Sequence, residues 1–475
     1  MPSYDHPRTL VCHPASGRAP MRNALLVLAT VSLAGCATVG PDYVPTEPEL
    51  SAQFVGATGL NAALDAEAQW WRGFNDSRLN VLVSRGLSQN LDIQTAFERI
   101  QAAEARMGTT GLNAQLQGGL SATAQQTGGS VASTLSVERG TLSGTYVLDL
   151  FGGVRRGREQ ALADLQAARF DAGTIRLAYL SAVIGAYADA RYFQEALAIS
   201  RQNIASRRQT RDLVLEQRAL GSAAELEVAQ AQAQLDGAIA TLPPLENGFN
   251  LSVFRIATLL SEPAGPLLAD MQRGAPQLFP RADGQIGVPA NLLRNRPDVR
   301  AAERRFASAV AAVGVAESQL YPSLDLSGTV TMQGATTWGF GPTISLPILN
   351  QGILRARREV AASTARQAEL AWRAAILAAV EEVQAATSTY QRNRREVQAL
   401  RNVLASNERL LDLTRLAYDG GSSSLLDLLD VERATATARL SLASAVRDAS
   451  TAWIRLRIAT GQGSGIAETG GDVAG

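Results

Sequence analysis

The chain has 475 residues with 44 basic and 44 acidic side chains, so its formal net charge is zero and no charge imbalance recruits nucleic acid or an acidic ligand. Every basic side chain is an arginine, the only histidines are His6 and His13, and the only cysteines are Cys12 and Cys36. With no lysine, and no histidine or thiol in the body of the chain, the usual Ser-His-Asp triad, a P-loop lysine, a Schiff base and a zinc or copper centre are excluded, which leaves only carboxylate chemistry to an enzyme.

Residues 1 to 20 read as an extension upstream of a start at Met21. Met21-Arg22-Asn23, the apolar run Ala24 to Ala34 and Leu33-Ala34-Gly35-Cys36 together resemble a bacterial lipoprotein signal: a short basic region, an apolar stretch too short to span a bilayer, and small residues before a cysteine. The resemblance implies cleavage before Cys36 and a diacylglycerol and fatty acyl lipid on its thiol, with no other cofactor. Ala37 at the next position implies sorting to the outer membrane. The leader and signal therefore occupy 1–35, and a proline-rich lipidated tether (Pro41, Pro45, Pro48) occupies 36–69.

A first structural repeat is predicted over 70–262. It opens at Trp70-Trp71 with a helical pattern running to about Thr110, then forms a strand hairpin at 115–150, a long helix at 153–220 and a return helix at 222–260 that breaks near Pro243-Pro244. The long helix spans on the order of 100 Å at 1.5 Å per residue. Its apolar residues keep heptad rows, with Leu165, Ala172, Tyr179 and Ala186 on one and Ala168, Ile175, Ala182 and Ala196 on the other. An irregular connection is expected at 263–290. A second repeat over 291–460 has the same order: helix, strand hairpin 322–348, long helix 353–419, return helix 424–460. Asp92, Ala96, Ile100 and Gly108 match Asp298, Ala302, Phe306 and Gly314 at one constant offset, and Gly221-Ser222 matches Gly421-Ser422. A period of about 200 residues marks a duplicated half-protein rather than a solenoid. The tail, 461–475, is glycine-rich and expected to be flexible.

The hairpins carry the functional information. Leu324, Leu326, Val330 and Met332 alternate with Ser323, Asp325, Ser327, Thr329 and Thr331, and Trp338, Phe340, Ile344 and Leu346 alternate with Gly339, Gly341, Thr343 and Ser345. Such strands suit either a soluble hairpin with one wet face or a membrane barrel, where tilted strands need roughly 9–11 residues. Four strands cannot close a barrel, because an open edge in lipid leaves backbone groups unpaired and the smallest barrels use about eight strands. Several copies must then share one barrel; three give twelve strands and four give sixteen.

Several motifs in fixed order make the chain resemble the TolC-like outer-membrane efflux proteins, in their NodT-type lipoprotein branch. They are Gly40-Pro41-Asp42-Tyr43, Trp70-Trp71 with Phe74, Leu148-Asp149-Leu150-Phe151-Gly152, Arg296-Pro297-Asp298-Val299 with Ala302-Glu303, Tyr321-Pro322, and Tyr418 with Gly421. Tyr146-Val147 replaces the family's usual tryptophan, the usual proline is missing around Gln115-Leu116, and Ser423 stands where some relatives hold a gating arginine. The resemblance implies a mixed α and β membrane protein, each chain giving four strands to a shared 12-stranded trimeric outer-membrane barrel continued by a long α-helical barrel. It also implies a lipid-anchored homotrimer in the outer membrane that extends into the periplasm, partnered by a periplasmic adaptor (membrane fusion) protein and an inner-membrane RND-type transporter.

Within that frame the candidate residues have assigned roles. Asp427 and Asp430 lie three apart at the start of the last helix: they either cap it, with Ser424 three residues before, or form a ring of carboxylates at a constriction whose mutual repulsion raises their pKa values. Tyr418 is either a packing residue or the gate aromatic. Gly221, Ser222, Gly421 and Ser422 form helix-ending turns that the resemblance assigns to the adaptor-facing tips. Trp338 and Phe340 suit an aromatic girdle or core packing equally. The function expected is a passive, non-enzymatic export duct of a tripartite efflux pump, carrying small molecules outward. The alternative is a lipid-anchored periplasmic coiled-coil scaffold or adaptor with soluble hairpins.

Overall fold

A computed structural model describes residues 38–44, 69–130, 132–280 and 296–465. Cys36 and the tail beyond 465 lie outside the described residues. The chain divides into two compact units.

The first unit holds Gly108–Ala161, Ala309–Ala365 and the segment up to Tyr43. Its centre is a four-stranded antiparallel sheet in chain order, β1 (Leu116–Gly129), β2 (Ala132–Leu148), β3 (Ser323–Gln333) and β4 (Ala335–Ser345). The register aligns like with like across all four strands. One row reads Leu120, Leu142, Val330, Trp338; the next reads Gly118, Gly144, Gly328, Phe340; a third reads Leu116, Tyr146, Leu326, Pro342. The opposite face carries rows such as Ser121, Thr141, Thr331, Thr337. Because strand side chains alternate with period two, these rows give one face an apolar band across all four strands and the other a largely hydroxylated one, while towards the β1–β2 turn the first face carries Gln126, Ser136 and Glu138. No described layer of the chain covers the apolar face, and Trp338 and Leu120 are 80% and 73% exposed.

The second unit holds Val44–Met107, Leu162–Ser308 and Arg366–Gly475. Its helices, counted along the chain and some of them beginning in the first unit, are α1 (Ser77–Gln89), α2 (Leu91–Gly108), α3 (Gly153–Ala219), α4 (Glu225–Ile239), α5 (Leu242–Leu260), α6 (Ala264–Met271), α7 (Pro297–Ser318), α8 (Gln351–Asp419) and α9 (Leu425–Ala459). The core joins Trp70, Trp71 and Phe74 of a 3-10 turn to Leu79 and Val83 of α1, Leu180, Val183, Ile184 and Tyr187 of α3, Ile256 and Leu260 of α5, and Trp453, Ile454 and Leu456 of α9. On α8 the buried residues Trp372, Ile376, Ala379, Val383, Ala386 and Tyr390 follow alternating steps of three and four, the signature of a heptad seam. On α3 the row Leu165, Ala172, Tyr179, Ala186 is buried, while Ala168, Ile175 and Ala182 are only half-buried. From Tyr179 to Arg191 that helix is buried well beyond a two-row stripe, since α1 and α5 both contribute to the cluster around it.

Three sequence expectations need correction. The helix predicted from Trp70 to Thr110 is three pieces. The Asn90 side chain splits α1 from α2: its Oδ1 accepts from the amides of Asp92 and Ile93 at 3.0 and 3.1 Å, and its Nδ2 donates to the Leu259 carbonyl at 3.0 Å. The return segment breaks near Pro243-Pro244, as expected: α4 ends at Ile239 and the two prolines open α5, where the missing N–H costs nothing. The connection expected to be irregular contains α6, which buries Leu267 and Met271. Finally, Gly461 to Ser464 are buried rather than flexible, because the Gln462 carbonyl accepts from Trp70 Nε1 at 3.0 Å and the Gly463 carbonyl from Arg176 Nε at 2.8 Å.

The duplication extends to chemistry that the sequence does not display. In the second repeat Arg296 stands where Asn90 stands in the first: its Nη1 donates to the Ala459 carbonyl at 2.9 Å, and its other nitrogens hold Asp298 at 2.8 and 3.0 Å. In each half, the side chain just before the helix that leads into the strand hairpin therefore satisfies a carbonyl at the end of the return segment, the group that a helix C-terminus leaves unpaired.

Candidate constriction and helix-tip site

Both long helices end in the same turn. Gly221 and Gly421 have φ of 73° and 72°, left-handed values that a residue with a Cβ adopts only at a cost. The Ser222 amide donates to the Gln217 carbonyl and the Ser422 amide to the Ala417 carbonyl, each at 2.8 Å, and the Gly221 and Gly421 amides donate to the Arg218 and Tyr418 carbonyls, each at 2.9 Å. This is the Schellman arrangement. The serine hydroxyls reinforce it by donating to the same carbonyls at 2.9 and 3.0 Å. Val214, Ala231, Leu425 and Leu429, with Tyr418 against them, form a small apolar cluster that draws α3, α4 and α9 together at the two turns. Leu220, Leu226, Leu416 and Leu426 remain exposed around it.

Of the predicted constriction residues, Tyr418 bridges helices: its hydroxyl donates to Gln217 Oε1 on α3 at 2.8 Å. Burial, with Glu227 adding to it, pushes the phenol pKa up. Asp427 is engaged locally. Its Oδ2 accepts from the Ser424 amide at 3.1 Å and the Ser424 hydroxyl at 2.7 Å, while the Asp427 amide donates to Ser424 Oγ at 3.2 Å. That capping box holds the Asp427 carboxyl below its ordinary range, chiefly through the Ser424 hydroxyl. Asp430 pairs with Arg433 at 2.7 Å within α9. The first repeat has half of the capping arrangement: the Ala224 amide donates to Glu227 Oε2 at 2.8 Å, but alanine supplies no return oxygen.

The most buried charge near the turns was not singled out from the sequence. Glu432, 3% exposed, receives hydrogen bonds on Oε1 from Ser206 at 2.8 Å, Thr210 at 3.2 Å and Arg415 at 3.1 Å, so one carboxylate oxygen joins α3, α8 and α9. Its Oε2 is buried with no partner. Burial lowers the pKa of the neighbouring Arg207 guanidinium, against the raising effect of Glu432. A signal was present: Leu425, Leu428, Leu429, Glu432 and Thr435 share the helical face that is otherwise apolar. A carboxylate on such a stripe is either unpaired at great cost or held by partners from elsewhere.

On the sheet, Trp338 and Phe340 lie on the apolar face, both strongly exposed, which removes core packing within the chain as their role. Among the described residues no group of His, Cys, Asp and Glu side chains could hold a metal ion, and no helix is long and apolar enough to cross a membrane.

A sheet with an apolar band across one face and two open edges, in a chain with a twice-repeated set of long helices, defines the class: a subunit of an outer-membrane channel with a helical extension. The outer membrane efflux protein profile matches residues 82–261 and 288–462. Nodulation protein T of Rhizobium leguminosarum bv. trifolii is 38% identical over 449 residues, 91% of this chain and 95% of that protein. The pyoverdine export outer membrane protein OpmQ of Pseudomonas putida is 30% identical over 433 residues, 87% of this chain and 91% of its own length. Among solved structures, the outer-membrane channel OprN superposes with a TM-score of 0.81 at 30% identity, covering 90% of this chain and 100% of that one. The chain belongs to the outer membrane efflux protein family, whose members are not enzymes; it is an outer-membrane channel component of an efflux pump.

Proposed function

We propose that three copies of the chain close a twelve-stranded barrel in the outer membrane and a twelve-helix tunnel in the periplasm, forming a passive duct for small molecules. The observation that carries this reading is the sheet: its apolar face is uncovered, and β1 and β4 each present an unpaired edge. In hydrocarbon each unpaired backbone group costs several kcal/mol, so identical neighbours must supply the missing partners. Trp338 and Phe340 then meet lipid as part of an aromatic girdle, and Cys36 carries the acyl anchor. The exposed leucines around Gly221, Ser222, Gly421 and Ser422 offer the tips to a periplasmic adaptor, with an RND-type transporter of the inner membrane supplying cargo.

Tyr418, Asp427 and Asp430 stand at the constriction, where threefold symmetry would set six carboxylates around one axis and favour cations. The test is native mass in mild detergent together with planar-bilayer conductance. A conducting trimer is expected; a monodisperse monomer without conductance overturns the reading. Asp427→Asn with Asp430→Asn should reduce cation preference, and unchanged single-channel selectivity removes the ring. Cys36→Ser should abolish the acylated mass and release the protein from membranes.

A further inference from the structure

The segment Thr38–Asp42 lies in a slot that is shaped for it. The Val39 amide donates to the Phe151 carbonyl at 3.1 Å, just beyond the end of β2. Arg156, in the first turn of α3, does the rest: Nε donates to the Val39 carbonyl at 3.2 Å, and Nη2 donates to the Gly40 carbonyl at 3.3 Å and to Asp42 Oδ1 at 2.6 Å. Its Nη1 holds Glu159 at 2.8 Å, and the side chain is 4% exposed. A guanidinium that binds two successive carbonyls and a carboxylate recognises a backbone path rather than one side chain.

Three glycines make the approach possible. A Cβ on Gly40, whose φ is 85°, would sit 2.5 Å from Gly314 Cα. A Cβ on Gly314 would sit 2.7 Å from Arg156 Cγ, and one on Gly152 would sit 2.5 Å from Thr38 Cγ2. The slot therefore closes if any of the three gains a side chain. All of these residues belong to the sheet unit.

We propose that Arg156 and this glycine-lined slot are an intramolecular docking site for the tether, turning the lipid anchor from a loose leash into a fixed peg at one end of the sheet. The proposal rests on the reading of Cys36 as acylated. Cys36 is two residues from Thr38, so a docked tether keeps it within about 7 Å of that residue at ~3.6 Å per residue.

The end of the sheet so marked has apolar groups to meet. β2 and β4 run in the same direction, so Phe151 and the residues after Ser345 share one end of the sheet. There Phe151 stacks on Tyr321 with ring centroids 4.7 Å apart, and Leu346, Ile348 and Leu349 are all exposed. Pegging the acyl chains at this end raises their effective concentration beside the strands that must enter the same leaflet. Arg156 is thus a positioning residue for membrane assembly.

The test uses the full acylated chain in liposomes of phosphatidylethanolamine and phosphatidylglycerol, with hydrogen exchange read by mass spectrometry and assembly read as heat-resistant oligomer. Arg156→Ala should speed exchange of the 38–44 amides at least tenfold while leaving Leu116–Leu148 unchanged. It should also slow assembly about tenfold in the acylated chain, with no further effect in a Cys36→Ser background. Unchanged exchange overturns the slot, and equal slowing in both backgrounds overturns the peg in favour of a purely structural role. Asp42→Asn, which leaves α3 and the glycines intact, should give the same order of effects at smaller amplitude and covers failure of Arg156→Ala to fold. If the mass of the N-terminal peptide shows no lipid on Cys36, the peg falls with the lipobox reading, whereas the exchange result still judges the slot.

Discussion

The sheet and the helical unit spend similar apolar side chains in opposite ways. In the helical unit Trp453 is 3% exposed, with Trp70 and Phe74 packed edge-to-face against it at 5.3 and 4.9 Å. On the sheet Trp338 stands in the open beside Val330 and the glycine row. Fully burying a large apolar side chain gives about 1.5–3 kcal/mol, so the helical unit is stabilised by its own contents, whereas the sheet in water gains almost nothing beyond its ladder. A band that stays apolar across all four strands of an uncovered sheet is complementary to something outside the chain, here lipid and neighbouring strands.

The comparison breaks most visibly at its two tryptophans. Trp453→Ala should cost about 3–5 kcal/mol in urea unfolding followed by helical signal, from lost transfer energy and the cavity left behind. Trp338→Ala in the unassembled chain should stay within about 0.5 kcal/mol of the parent, as surface substitutions do; a large loss there would mean that the sheet face is covered. Next in size, Leu326→Arg should cost roughly 2–4 kcal/mol in membrane assembly, the penalty of a cation on a lipid-facing strand. Its effect is read as oligomer yield, with helical unfolding unchanged; normal yield would argue that this face never meets lipid.

A smaller effect separates the buried carboxylate from the exposed ones. Glu432→Ala should cost about 1–3 kcal/mol, since it leaves Ser206, Thr210 and half-exposed Arg415 without their shared acceptor. Asp430→Ala, which removes only an exposed pair within one helix, should fall below about 1 kcal/mol in the same denaturation measurement. The smallest effect concerns acid. The Asp427 carboxyl has a folded pKa below its unfolded value of about 3.9, so its capping contribution is fully present above that pH and lost as pH falls through the folded value. Melting followed from pH 5 to pH 2.5 should therefore show a small loss at the α9 tip that Asp427→Asn lacks.

Much of this was legible in the chain. The two strand hairpins announce themselves by alternation, and the tip turns by Gly-Ser after an uninterrupted helical pattern. The capping relation of Ser424 and Asp427 follows from a spacing of three. Other features were not. Asn90 and Arg296 occupy matching places in the two halves, but one is an amide and the other a cation, and only their acceptors, Leu259 and Ala459, reveal the shared task. The Gly-rich end at Gly461 reads as flexible until Trp70 and Arg176 are seen to bind its carbonyls.

By itself, the sequence determined whatever depends on period and local spacing: which residues share a strand face, where the long helices stop, and that half the molecule is a copy of the other. Only the tertiary structure decided which polar groups are enclosed. Glu432 meets Ser206, and Arg156 meets Asp42, across more than a hundred residues of chain. Periodicity carries no information at that separation, because a buried charge finds its partners through packing and not through sequence order.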